Sequence, residues 1–289
     1  MTRDESSIEL AAWLKTAPGR YLLAWEQARL DQEVADTFGF HALQLGLPEL
    51  DGLRANRMPH RWVASDSMQL PQPLPAPAPA DDAVSTRPMR PGPALHCEFD
   101  ALPLPDASID LVVLPHALEL ARDPHHTLRE VERVLVPEGR IVVVGFNPTS
   151  LWGLRQRLGH LRRGMGVARE RGLFLPRAGD FIGYWRARDW LRLLGFEVEA
   201  GHFGCWRPPL AGERWLQRFA WMDRVGDRWW PVLGAVYVIC AVKRVRGMRL
   251  VGLVRQDWRA KARPAPAVVA HRRGSATPIS RDSGLRGDA

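Results

Sequence analysis

Two carboxylates two residues apart, Glu98 and Asp100, and a histidine, His116, are the side chains in this 289-residue chain best suited to chemistry. An ionised carboxylate only accepts hydrogen bonds. An imidazole titrates near neutrality and can take a proton from a reacting group. His116 directly follows Pro115 at the end of the apolar run Ile109 to Leu114, which places it in a loop after a strand. His125 and His126 open a helix and read as surface residues. Cys97, Cys205 and Cys240 are widely spaced, with no C-x-x-C pairing, and are expected as buried reduced thiols. No metal-ligand spacing is visible, and no metal is expected.

The elements that must position these groups follow from periodicity. Residues 8 to 37 carry apolar side chains at helical spacing, broken at Pro18-Gly19 and stopped near Gly39, which predicts two N-terminal helices. His41 to Gly46 and His60 to Ser65 read as short buried strands. From Ala94 the order is strand (Ala94 to Glu98), strand (Ile109 to Leu114), helix (Asp123 to Leu135), strand (Arg140 to Phe146), then helix from Ser150. That alternation predicts a parallel sheet with crossover helices. Asp123-Pro124 marks a helix start, as N-cap and first helical proline, while Pro137 and Gly139 are expected to end the helix. A helix over Ala187 to Leu194, stopped by Gly195, precedes strands at Phe196 to His202 and Gly234 to Val242.

Residues 71–93 are dense in proline and alanine, which interrupts ladders and helices and predicts an extended surface insertion. The chain carries a net charge of +8, but the charge is unevenly placed. Twelve basic residues stand against three aspartates from Lys243 onward, leaving the body close to neutral. Beyond Arg246 the apolar period is lost, and residues 246–289 are expected as a basic disordered tail. The polar, acidic start has no apolar core of a secretory signal, and the longest apolar run, Trp229 to Val242, is too short to span a bilayer. A cytoplasmic protein is the expectation.

The stretch from Glu98 to Pro148 resembles class I S-adenosylmethionine-dependent methyltransferases of the type 11-like group. The resemblance rests on an acidic residue before a Leu-Pro turn, here Asp100-Ala101-Leu102-Pro103-Leu104, followed by a strand and a helix ending in Arg133-Val134-Leu135. Phe38-Gly39-Phe40-His41-Ala42-Leu43 and Gly145-Phe146-Asn147-Pro148 are similar to bacterial YafS-type proteins. The resemblance implies an α/β, Rossmann-like class I methyltransferase fold, a seven-stranded mostly parallel sheet with helices on both faces. It assigns residues 39–245 to the methyltransferase domain and residues 1–38 to helices on the acceptor side.

It also implies S-adenosylmethionine as cofactor, bound outside the carboxyl ends of the strands. Glu98, or alternatively Asp100, aligns with the carboxylate that accepts from the adenine amine, while Phe99 supplies a backbone amide and ring packing. Pro115 and His116 fall where the family's loop passes beneath the methionine moiety, making His116 the candidate base. Asp66 lies about where an acidic residue grips the ribose hydroxyls, although an ordinary polar turn would read the same. The glycine-rich loop after the first strand departs most from the family. Here it is Gln44-Leu45-Gly46-Leu47-Pro48-Glu49, in which only Gly46 survives, Gln44 replaces the acid and Pro48 lacks an amide hydrogen. Weaker or altered cofactor binding is expected, whereas Glu138 in the turn after the helix is expected to be harmless.

Acceptor selectivity is expected from the N-terminal helices and from Trp152, Phe174, Phe181, Tyr184 and Trp185, either as an aromatic pocket for a small molecule or as packing. Three functional readings remain open at this level. The first is an active small-molecule methyltransferase, and the second a degenerate domain that keeps the fold without transfer. In the third, the chain associates with nucleic acid or a membrane through its basic tail, or through the Trp- and Arg-rich segment Leu210 to Trp230.

Overall fold

The computed structural model describes residues 3–66, 94–164, 174–175 and 181–244. Both the proline-rich stretch 71–93 and the tail 246–289 lie outside the described residues, so the expectations for them do too. Every described element belongs to one compact unit, Met1–Arg246.

Two helices come first, α1 (Arg3–Leu14) and α2 (Ala17–Ala35). The break between them falls at Lys15-Thr16, not at Pro18-Gly19. Thr16 is the N-cap of α2, and Pro18 sits in its first turn, where a missing amide hydrogen costs nothing. Three strands with their connections follow: β1 (His41–Leu45), β2 (His60–Ser65) and β3 (Leu95–His96). Next come β4 (Ile109–Pro115), the single turn α3 (Ala117–Leu120), α4 (Pro124–Val134) and β5 (Leu135–Phe146). Asp123 caps α4 as expected, accepting from the amides of His125 and His126. The remainder is α5 (Leu151–Gly164), α6 (Tyr184–Leu193), β6 (Phe196–Gly204), α7 (Glu213–Arg218), α8 (Trp221–Trp229) and β7 (Val236–Lys243).

The seven strands form one sheet in the order β3-β2-β1-β4-β5-β7-β6. All pairings from β3 to β5 are parallel, and β7 runs antiparallel to both β5 and β6. The carboxyl ends of six strands therefore share one edge. Strand β5 starts at Leu135, earlier than its apolar run implies, because Val136 to Gly139 are accommodated in a register shift against β4. Glu138 takes a left-handed φ of 64° there, a conformation that favours glycine, so the position does more than reverse the chain. Its carboxylate pairs with Arg244.

Each face of the sheet is covered. One core packs β1, β4, β5 and β7 against α4 and α6 through residues such as Leu43, Val112, Leu128, Val143 and Leu191. The other packs the opposite strand faces against α1, α2 and α5 through Leu14, Leu22, Leu30, Val113, Val144 and Trp152. Full burial of each such side chain contributes about 1.5–3 kcal/mol, which fixes the strand edge that the loops decorate. Lys243 and Arg244, counted with the basic tail in the sequence, are part of this body. Lys243 donates to the Leu135 carbonyl at 3.0 Å, and Arg244 pairs with Glu197 at 3.0 Å.

Candidate functional site

The edge formed by the carboxyl ends of β1, β2, β3 and β4 brings together Gly46, Asp66, Glu98, Phe99, Asp100, Pro115 and His116. The β2 and β3 ends are joined by the Cys97 amide, which donates to the Ser65 carbonyl at 3.1 Å. Glu98 is exposed and loosely paired with Arg122 at 3.8 Å. Asp100 is placed differently: its Oδ1 is buried and has no hydrogen-bond partner among the described residues. A buried carboxylate oxygen without a donor is costly, which makes this atom an acceptor awaiting one. The turn that carries it is held from below. Arg133 donates to the carbonyls of Leu102 at 3.0 Å and Leu104 at 2.9 Å, and Glu130 accepts from the Leu102 amide at 3.2 Å.

Phe99 is buried, and its ring lies under Gly46. A Cβ built on Gly46 would stand 3.5 Å from the Phe99 ring and 3.7 Å from Ala117, so there is room but no backbone freedom, since φ is +81°. The Gly46 amide is already committed, donating to Ala64 in β2 at 2.8 Å. Its contribution to a ligand site is therefore the bare backbone and not a donor. Burial is the main influence raising the Cys97 thiol to about 11, with the Asp66 carboxylate adding to it.

The departure at Gln44 has a structural reason. Its side chain is buried, and Nε2 donates to the carbonyls of Gly46 (3.1 Å), Leu47 (3.0 Å) and Leu50 (2.7 Å), while Oε1 accepts from the Gly52 amide at 2.8 Å. A carboxylate cannot donate and could not hold this loop. Leu47, at φ 40°, is turned inward with Leu50, Leu53 and Met58 into the core beside α2. The loop is thus ordered around an internal amide in place of successive glycines.

His116 caps α3 with a left-handed φ of 54° and is fully buried. Nε2 lies 2.8 Å from Glu26 Oε1 on α2, and Nδ1 lies 2.8 Å from Glu119 Oε2 on α3. Glu119 Oε1 in turn accepts from the Phe146 amide at 2.7 Å. Each ring nitrogen thus faces a carboxyl oxygen. Burial opposes the charge most strongly, but the pull of Glu26 and the hydrogen bonds to Glu119 and Glu26 prevail and raise His116 to about 10. Held protonated in this way, the ring would engage both N–H groups and keep no lone pair to offer. Neither Glu26 nor Glu119 was anticipated as a partner. The signal for Glu26 was a charge in the middle of the buried stripe Leu22, Glu26, Leu30 of α2.

Farther along the same edge, Tyr21 donates to Asp223 at 2.5 Å, and Arg207 pairs with Asp223 at 2.9 Å while lying over the Tyr21 ring at 4.3 Å. The expected aromatic pocket divides. Trp152, Phe174 and Phe181 pack with Trp13 and Phe146 in edge-to-face pairs that tie α1 and α5 to the sheet. Tyr184 packs on Phe203 and Tyr237, and Trp185 is exposed. Among the described residues no group of three or more His, Cys, Asp or Glu side chains is arranged to hold a metal.

The sequence and the fold are similar to those of known proteins. Residues 79–143 match a family described as "Methyltransferase domain". The chain is 40% identical over 97 residues to the uncharacterized protein YafS of Escherichia coli strain K12, a match covering 34% of this chain and 36% of YafS. It is 43% identical over 58 residues to malonyl-[acyl-carrier protein] O-methyltransferase of Halorhodospira halophila, covering 20% of each. The matched stretches thus span about a third or less of these relatives' lengths. In solved structures, the fold matches the complex between the Haloferax volcanii Trm112 methyltransferase activator and a methyltransferase at a TM-score of 0.51. That match has 18% identity and covers 86% of this chain and 99% of that one. Strand order and the antiparallel β7 agree with that match: the fold is the Rossmann-like fold of class I methyltransferases, and residues 79–143 are similar to the methyltransferase domain family.

Proposed function

We propose that the chain is an S-adenosylmethionine-dependent methyltransferase that acts in the cytoplasm on a small-molecule acceptor. The observation that carries this reading is the buried Oδ1 of Asp100, without a partner among the described residues, in the turn after β3 and beside a phenylalanine packed under a left-handed glycine. These residues fit the cofactor. Asp100 would accept from the adenine amine, Phe99 and Gly46 would shape the adenine and methionine sides, and Asp66 and Glu98 would flank the ribose. Pro115 would wall the methionine side. When bound, the cofactor supplies an electrophilic methyl group on a sulfonium, a reaction in which placement of the acceptor provides most of the acceleration. The cytoplasmic assignment is supported by three free cysteines, two of them buried.

In this reading His116 is a positioning residue. Its bonds to Glu26 and Glu119 lock α2 and α3 to the ends of β4 and β5, and α2 carries Tyr21 toward Asp223 and Arg207. The acceptor would meet this second group of polar side chains. The test is calorimetric titration with S-adenosylhomocysteine. A dissociation constant tighter than millimolar supports the reading; no heat at millimolar ligand overturns it in favour of a fold retained without transfer.

A further inference from the structure

Helix α5 is built inside out. Its buried positions are Trp152, Gly153 and Gln156, whereas Leu151, Leu154, Leu158 and Leu161 are 45%, 53%, 45% and 62% exposed. At ~100° per residue these four leucines fall within an arc of roughly 80°, opposite the buried side. Arg155 and Arg157 flank the arc on either side, and the sequence of α5 contains no acidic residue.

A second set of exposed apolar side chains lies on segments that hydrogen-bond to Asn147 and to α5. Asn147, just before α5, donates to the carbonyls of Val232 (2.7 Å) and Gly234 (2.8 Å), and Trp152 donates to Arg207 at 2.7 Å. Trp206, next in that segment, fits against Gly226 of α8 and donates to Trp230 at 3.0 Å. Around these joints Trp215, Trp221, Trp229, Trp230, Val232 and Leu233 are exposed. Together with the leucines they make ten of the fourteen exposed large hydrophobic side chains among the described residues, so the apolar exposure is concentrated in two stretches of the chain, 151–161 and 215–233. Arg214, Arg218, Arg224 and Arg228 lie among them, all exposed.

We infer that the exposed apolar side chains of α5, α7 and α8 dock on an anionic lipid bilayer. Exposed leucines bordered by tryptophan and arginine match an interfacial surface, where indole rings sit at headgroup level and guanidinium groups meet lipid phosphates. A second copy of the chain fits less well, because the arginines flanking the leucine stripe would face their like in a helix pair. Nucleic acid would use the arginines but leave the leucines in water. No described helix is long and apolar enough to cross a membrane, so the contact is peripheral. The surface begins where β5 ends and β7 begins, at the same edge as the candidate cleft. Resting on the methyl-transfer reading, the acceptor class is then an amphiphile drawn from that surface.

The test is co-sedimentation of the full chain with phosphatidylglycerol/phosphatidylethanolamine vesicles, with brominated lipid as a quencher of tryptophan emission. The expected result is binding that persists at about 0.5 M salt, where screening falls to roughly 4 Å, with quenching. The double variant Leu154→Glu, Leu158→Glu should lose at least tenfold in binding while keeping its melting temperature. Wild-type protein left in the supernatant overturns the inference, as does a variant that binds equally well. So does a wild-type dimer that the variant converts to monomer, or binding to duplex DNA that equals binding to vesicles. Titration with S-adenosylhomocysteine is read separately, so failure of docking and failure of cofactor binding are distinguishable.

Discussion

Glu26 and His116, ninety residues apart in the chain, meet at 2.8 Å with both side chains fully out of solvent. The contact turns a helix outside the sheet and a loop at its carboxyl edge into one polar unit. Glu26 Oε2 has no partner among the described residues, so the carboxylate depends on the imidazolium for compensation. Removing one member of a buried pair leaves an uncompensated charge and costs about 3–5 kcal/mol. Glu26→Ala is expected to lose about that much in urea unfolding, and Glu26→Gln less, because an amide oxygen still accepts from Nε2.

The same cluster sets a pH dependence. His116 is raised to about 10, and burial pushes Glu119 upward against the pull of His116. Both shifts mean that the folded state holds protons more tightly than the unfolded chain. Their stabilisation is fully present below the ordinary pKa values and is lost as pH rises through the folded ones. The melting temperature of the wild type is therefore expected to fall as pH rises, from about 4.5 on account of Glu119 and between about pH 6.5 and 10 on account of His116. A His116→Gln variant, already destabilised, should show a flatter curve over that window. Parallel curves would mean that His116 is neutral in the fold.

Gln44 provides a test in which family pattern and structure disagree. Restoring an acidic residue with Gln44→Glu would remove three donor contacts to the Gly46, Leu47 and Leu50 carbonyls and set a buried carboxylate against them. Each carbonyl left without a donor costs about 1–3 kcal/mol. The expected outcome is a loss of at least about 3 kcal/mol in denaturant unfolding and no gain in S-adenosylhomocysteine affinity. A variant that binds ligand more tightly at unchanged stability would show that the loop tolerates the family arrangement.

Much of this architecture was legible because it rests on local patterns. The apolar runs of β1, β2 and β4 and the Asp123-Pro124 cap fall where periodicity and capping chemistry put them. Other features depended on distant neighbours. A proline and a glycine after Val136 looked like a chain reversal, yet pairing with β4 and β7 absorbs them into β5. His116 read as a loop base because nothing nearby in the chain announced the carboxylate of Glu26, which reaches it only once α2 packs on the sheet. Spacing alone allows either Glu98 or Asp100, and the burial of Asp100 is what the proposed reading adds. Asp66 lies at the expected strand end, and its role in holding ribose remains a proposal.

That choice can be measured. A hydrogen bond to a charged acceptor contributes about 1.5–3 kcal/mol, so Asp100→Asn should weaken S-adenosylhomocysteine binding by at least about tenfold. Glu98→Gln, at an exposed position, should change it less than about threefold. The reverse ranking would move the adenine contact to Glu98 and leave the buried oxygen of Asp100 unexplained.

Cys97 reports on the same edge without mutation. It is the partly exposed one of the three free cysteines and lies between the ends of β2 and β3. Burial and the Asp66 carboxylate raise its thiol to about 11, so little thiolate exists at pH 8. Alkylation follows the thiolate, and the rate at Cys97 should climb with pH toward about 11. Asp66→Asn should lower that midpoint. Saturating S-adenosylhomocysteine should slow the modification, because a ligand held by Asp100 and Asp66 would cover the sulfur. A rate indifferent to ligand, alongside measurable cofactor binding, would place the cofactor away from this pair of strand ends.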